Sequence, residues 1–447
     1  MLLSLFGFAC VIGLAFLGVP IAIAMGVVGT IGFAGLNDWN WTAALSPAGG
    51  SVLDTLQTGS LSVIPLFILM GMLVSQAGLA TELYRAANAF LGHRRGGLAM
   101  ATIVACGGFS AISGSSLATA ATMAKVAMPE MRAFKYSDEL ASASIAAGGT
   151  LGILIPPSII LIIYGIMTAQ SIDKLFLAGL LPGLLGIVLY LVAVRWVVWR
   201  KPDSGPAGVT VGWPLRLRSL GEVWPIVVLF IAILGGIYMG VWTVTEAAGI
   251  GAGMSLVIAA VKRKLGWGSL KTALYDTTKM TAILFAVLIG ADIFQRFVVR
   301  AGLPDALVGI VTGLEISPLT VVLMMIAVYV VLGCVFESLS MMLLTVPVFA
   351  PIVAQLGLFA DYPPAQAQEM SLIWFGIIVV MVTEISLITP PIGLNVFVLR
   401  GVLGDITAGT IFRGVTPFWA VDIIRVLLLL ALPWIALFLP MTMRPFG

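Results

Sequence analysis

A chain of 447 residues that is 60% hydrophobic and only 10% charged, with a mean hydropathy of +1.13, lacks the polar surface that a soluble protein of this length needs. Its apolar runs of roughly 17 to 25 residues, parted by short polar or Gly/Pro breaks, carry a helical signature and exclude the alternating pattern of a β-barrel. The net charge of +3 belongs to loops flanking membrane spans, and no basic-aromatic patch points to nucleic acid.

Leu2 to Gly18 and Ile21 to Leu36 read as two membrane helices turning at Gly18-Val19-Pro20. The first lacks a charged n-region and a cleavage site, so a retained helix is expected, with the mature chain starting at Met1. An interfacial patch, Asp38-Trp39-Asn40-Trp41, precedes an amphipathic piece from about Ser51 to Ser60 and a span from Ser62 to Ala80. Arg85 is the first basic residue of the chain. With Arg94 and Arg95 it marks a cytoplasmic loop.

Residues 98–128 are small and apolar with GGFSAISGSS at the centre, and basic residues flank both ends. Each arm is about fourteen residues, roughly 21 Å of helix, too short to cross about 30 Å of hydrocarbon. A hairpin that enters and leaves by one face is expected. Residues 138–170 form a span broken at Pro156-Pro157, and Leu175 to Trp199 returns to a basic linker, 201–222.

Val223 to Val241 and Ala247 to Val261 form another joined pair, followed by a basic amphipathic arm at Lys262 to Lys271 and a span from Thr281 to Val299. After an acid-leaning loop with Asp305 and Glu315, residues 319–354 repeat the hairpin plan. Residues 371–400 form a second span, broken at Pro390-Pro391, and Thr416 to Pro440 closes the chain as one helix.

The landmarks repeat in order: Pro390 follows Pro156 by 234 positions, Gly302 follows Gly78 by 224, and Gly240 follows Gly18 by 222. Residues 1–200 and 223–447 therefore read as two repeats. The loop at Arg85 to Arg95 is basic where its partner at Asp305 to Glu315 is acidic. The arm at Lys262 to Lys271 is basic where its partner before Ser60 has no Lys or Arg. Under the positive-inside rule the repeats are inverted, with hairpin tips meeting near the midplane. The expected fold is an all-α polytopic membrane protein of the inverted-repeat type, with two re-entrant hairpins and two broken spans. Both termini are expected on the periplasmic side.

A helix break in a membrane frees carbonyls before it and amides after it, and lipid satisfies neither. The freed carboxyl-terminal turn offers oxygens suited to sodium, and the following amino-terminal turn favours an anion. Gly148, Gly149 and Thr150 stand at the first break, faced by Ser110, Ser113, Ser115 and Ser116 of the first hairpin. Thr383, Glu384, Ser386 and Thr389 stand at the second, faced by Glu337, Ser338 and Ser340. The bland alternative is that serine and glycine simply serve close helix packing. Glu337 and Glu384 are functional candidates as intramembrane carboxylates, though either could pair with a backbone donor or be protonated. Asn395 could reach a substrate or hydrogen-bond a neighbouring helix.

Other chemistry is disfavoured. Cys10, Cys106 and Cys334 lie in apolar runs without CxxC spacing or a nearby His, and are expected to be buried free thiols. The single histidine, His93, sits beside Arg94 and Arg95 at an interface, not in the bundle where a Ser/His enzyme would need it, and there is no HExxH. A pore-type channel would show a ring of repeated elements. No enzyme activity is expected.

The stretches GGTLGILIPPS from Gly148, TPPIGLNVFV from Thr389 and SGSSLATAA from Ser113 resemble signature segments of the large membrane (M, DctM-like) subunit of tripartite ATP-independent periplasmic (TRAP) transporters. The resemblance runs from GVPIAIAMG at Gly18 to the closing helix. It implies an elevator-type transporter fold and sodium-driven uptake of an organic acid across the bacterial inner membrane, with sodium as coupling ion and no other cofactor. The implied partners are a periplasmic binding protein (P-type) and a small four-helix membrane subunit (Q-type). No four-helix segment precedes Met1 or follows Gly447, so the chain is expected to be the large subunit alone.

By motif match, Ser113, Ser115, Gly149 and Thr150 fall in one sodium site, and Gly333, Ser338, Thr383 and Thr389 in the other. Gly108, Glu337, Ser340 and Gly393 complete the candidate ion ligands. Ser110, Ser116, Pro156, Pro157, Pro390, Pro391 and Asn395 are the candidate substrate contacts. Glu337 stands where the family would place an aspartate. A related ion-coupled carboxylate carrier working without a binding protein is the alternative. The residues alone leave proton coupling through Glu337 or Glu384 open.

Overall fold

The computed structural model describes residues 2–313, 316–333 and 336–443, and the described residues form helices joined by short turns, with no strand among them. The first half contains α1 (Leu2–Phe16), α2 (Ile21–Leu36), α3 (Trp41–Gln57), α4 (Val63–Gln76) and α5 (Leu79–Leu91). It continues through α6 (Gly97–Ser113), α7 (Ser116–Ala133), α8 (Asp138–Thr150), α9 (Ile159–Thr168) and α10 (Ile172–Arg200). Then come α11 (Trp213–Glu222), α12 (Trp224–Phe230), continued by a π turn into α13 (Gly236–Tyr238), and α14 (Val244–Val261). The remainder is α15 (Trp267–Arg300), α16 (Leu303–Gly313), α17 (Pro318–Gly333), α18 (Ser338–Gln355), α19 (Pro364–Ser386), α20 (Leu394–Leu403), α21 (Ala408–Ala431) and α22 (Trp434–Thr442).

Seven described helices are long and apolar enough to cross a membrane, or eight if α11 and α12–α13, bent by 48°, count as one. The chain is a polytopic helical membrane protein. Many of its large apolar side chains, among them Leu2, Phe6, Val188 and Leu427, face outward, as a hydrocarbon solvent requires.

Several boundaries depart from the sequence expectations. The amphipathic piece is a longer helix, α3, that starts at the tryptophan patch because the Asn40 side chain accepts the Ala43 N–H at 3.1 Å and caps it. The basic arm and the span after it are one 34-residue helix, α15, since no Pro or Gly punctuates the run between Lys271 and Thr281. The closing span is two helices parted at Leu432-Pro433, where the proline ring ends the ladder. The hairpin arms α6 and α7 run 17 and 18 residues, longer than expected, and α7 continues through Pro129 to Ala133. The linker is partly folded: Gly205 accepts the Gly96 N–H at 2.8 Å, and Ser204 accepts the Ser137 N–H at 3.0 Å, which straps it under the base of the first hairpin. There, the orphan Leu98 N–H donates to the Tyr136 hydroxyl at 3.1 Å, and burial pushes that hydroxyl up to about 12.

Cys106 is fully buried, Cys10 is half-buried, and Cys334 and Glu315 lie outside the described residues. His93 is half-buried, and its Nδ1 is shielded without a hydrogen-bond partner.

Packing between the halves is reciprocal. α2 packs on α15 while α4 packs on α14; α8 packs on α21 while α10 packs on α19; α7 packs on α20 while α9 packs on α18. Each helix meets the counterpart of its partner, so the two copies share one core and neither buries its apolar surface alone. The hairpins and broken helices occupy the interior of this arrangement. α6, α8 and the second half of α19 are buried on nearly every side.

Candidate functional site

The first hairpin turns at Gly114, whose φ of +59° is left-handed backbone that favours glycine. Ser115 follows in extended conformation and caps α7. The turn meets the first break directly. A Cβ on Gly152 would lie 2.8 Å from the Ser115 carbonyl carbon and the Ser116 nitrogen, and one on Gly149 would lie 2.8 Å from the Ala120 Cβ. These glycines let the backbone of the break touch the backbone of the tip. Ser116 Oγ then donates to the Thr150 carbonyl at 3.2 Å, and Ser158 Oγ donates to the Ile153 carbonyl and caps α9. Ser113 shares a 2.7 Å hydrogen bond with Thr119, and the Ser110 hydroxyl is buried with no partner. Pro156 and Pro157 are buried and joined by a cis peptide bond, and a cis bond also joins Pro390 to Pro391.

The second hairpin meets its break through Gly333, where a Cβ would lie 2.2 Å from the Ser386 Cβ. Glu337 occupies the cap position of α18, accepts from Ser340 Oγ at 3.4 Å and stands beside Ser338, whose buried hydroxyl has no partner. At the break, the Thr383 and Thr389 hydroxyls donate to the Val380 and Ile385 carbonyls, each at 2.6 Å, and Trp419 Nε1 donates to Thr389 at 3.1 Å. Gly393 starts α20 at φ +58°. In contrast to the first pair, Pro390 and Pro391 are exposed.

Both tips and both breaks border one cavity of about 100 Å³, lined by Ser115, Ser116, Ile153, Glu337, Ser338 and Leu387, with Met280 and Leu284 of α15 closing one side. Its described lining holds no Lys or Arg. Of the candidate residues, Ser115, Ser116, Glu337 and Ser338 line it, and Gly108 and Asn395 are among those that do not. Gly108 faces the Leu83 side chain of α5, where its Cβ would lie 3.1 Å away. Asn395 donates to the Ala146 carbonyl of α8 at 3.2 Å, so of its two sequence readings the structure shows the bond to a neighbouring helix.

The strongest polar cluster includes residues that the motifs did not single out. Thr150 Oγ1 lies 3.1 Å from the Tyr190 hydroxyl, which donates to Asp422 Oδ2 at 2.7 Å. Arg425 Nη2 reaches Asp422 Oδ1 at 3.3 Å and donates to Glu384 Oε2 at 2.9 Å. All five residues are fully buried. Asp422 and Arg425, three positions apart in the apolar run of α21, carried a readable signal, because ionisable residues inside a span are functional candidates by default. Tyr190 carried none.

The fold and this arrangement define a multi-pass transport protein in which broken helices and hairpin tips surround an internal site. Residues 8–435 match the tripartite ATP-independent periplasmic transporter family, DctM component, and the chain belongs to that family. It is 34% identical to the C4-dicarboxylate TRAP transporter large permease of Pseudomonas aeruginosa, covering 87% of this chain and 88% of that one. It is 33% identical to an ectoine/5-hydroxyectoine large permease of Ruegeria pomeroyi, covering 97% of each. In fold it is similar to the Alcanivorax borkumensis YdaH transporter, with a TM-score of 0.63 at 16% identity over 90% of this chain and 89% of that one.

Proposed function

We propose that this chain is the large membrane subunit of a TRAP transporter that imports an organic acid by sodium-coupled elevator movement across the bacterial inner membrane. A periplasmic binding protein delivers the substrate, and a small four-helix subunit completes the membrane complex. The observation that carries the reading is the convergence of two hairpin tips and two helix breaks on one cavity, with hydroxyls and carbonyls as the available ligands. Such oxygen sets suit a hard monovalent cation, and a lining without Lys or Arg means that a carboxylate would need its countercharge from bound cations. The reciprocal packing and the opposite loop charges support two inverted halves, 1–200 and 223–447, with the first hairpin opening to the cytoplasm and the second to the periplasm. The carboxylate class draws support from the C4-dicarboxylate relative.

Uptake into vesicles holding both membrane subunits, with the binding protein outside, is expected to require an inward sodium gradient. Undiminished uptake under a proton gradient alone would count against sodium coupling. Undiminished uptake without the binding protein would count against the tripartite assignment.

A further inference from the structure

The fully buried circuit has a geometry that packing does not explain. It starts at Thr150, the last residue of α8, and passes through Tyr190, Asp422 and Arg425 to Glu384 of α19. Thr150 stands at the first break and Glu384 just before the second. The circuit therefore runs from one break to the other. Its two ends also match under the internal repeat: Glu384 follows Thr150 by the same 234 positions that separate the double prolines, and Asp422 follows Tyr190 by 232. Tyr190 thus meets its own counterpart, Asp422, and in both matched pairs a carboxylate of the second half stands where the first half has a hydroxyl. Glu384 is also the neighbour of Thr383, at the opposite break.

Arg425 holds this together from one place. Its guanidinium lies 5.8 Å from the Tyr190 ring centre and is accommodated only because position 186 is glycine: a Cβ there would lie 2.0 Å from Nη1. Two carboxylates and a guanidinium sequestered from water are costly unless paired, and here their pairing sets the relative position of α8, α10, α19 and α21.

We propose that Tyr190, Asp422 and Arg425 are positioning residues that hold the first break at the geometry its coupling ion needs, using charges supplied by the second half. The inference rests on the sodium-coupled reading above. None of the three borders the cavity, so they act through Thr150 and Glu384 and not by touching substrate. A shift of a few tenths of an ångström at a carbonyl ligand is enough to weaken an ion site.

The test is the sodium dependence of uptake by the reconstituted complex. Tyr190→Phe removes one hydroxyl and keeps the ring. Gly186→Ala displaces the guanidinium from the opposite side. Both variants are expected to raise the sodium concentration for half-maximal uptake about five-fold or more, the effect of losing one buried hydrogen bond, with a smaller change in the rate at saturating sodium. A merely structural role would lower the amount of folded complex and the maximal rate, and leave half-saturation in place. Half-saturation within two-fold of the parent chain in both variants overturns the proposal. If the parent chain transports without sodium, the ion reading itself fails and this proposal fails with it, a result visible before any variant is made.

Discussion

Arg425→Ala is expected to cost the protein a large share of its stability. The substitution leaves Glu384 and Asp422 fully buried without their cation, and breaking a buried pair from one side typically costs about 3–5 kcal/mol. Against a total of about 5–15 kcal/mol for a folded domain, that is a large share. In detergent, the midpoint of thermal aggregation followed by size-exclusion chromatography should fall by about 5 °C or more. Arg425→Lys should lie between, because an ammonium keeps the charge but its shorter reach sets it back from the Nη2 position, from which both carboxylates are contacted. An Arg425→Ala protein that melts with the parent would mean that the cluster carries no net pairing energy.

Gly152→Ala is expected to nearly abolish transport while leaving the chain able to assemble. The new methyl would sit 2.8 Å from backbone atoms of Ser115 and Ser116, which have no rotamer through which to escape. Overpacking of this kind costs about 1–3 kcal/mol, tolerable for a chain of this size. The functional loss should be larger, about ten-fold or more in initial uptake rate, because tip and break must separate and their oxygens lose register. Gly253→Ala, where nothing lies within 4 Å, is the matched control. Equal uptake by the two variants would show that the contact between the Ser115 tip and the first break is not part of the transport site.

The motifs located elements that border the cavity more accurately than they located what packs behind them. Pro156-Pro157, Pro390-Pro391 and the Ser113–Ser116 tip were readable because each breaks a rule of membrane helices: a proline pair in mid-span, or clustered hydroxyls where lipid offers no partner. The structure brings those elements together around one cavity. Gly108 shares the composition of its neighbours yet faces Leu83, since a glycine in an apolar helix does not announce which side it occupies. Asn395 was legible as a polar residue beside a break, but its bond to Ala146, 249 positions earlier, depends on where two distant helices cross.

The sequence by itself determined that this is a helical membrane protein in two related halves, because hydropathy, proline placement and loop charge are local quantities that survive without contacts. Tertiary structure alone decided what the halves do to each other. It set Tyr190 against Asp422, 232 positions apart, through a hydrogen bond that joins the two halves. The physical reason is that a buried charge is tolerated only where its partner arrives, and only the packing of α8, α10, α19 and α21 brings Arg425 to Glu384 and Tyr190 to Thr150.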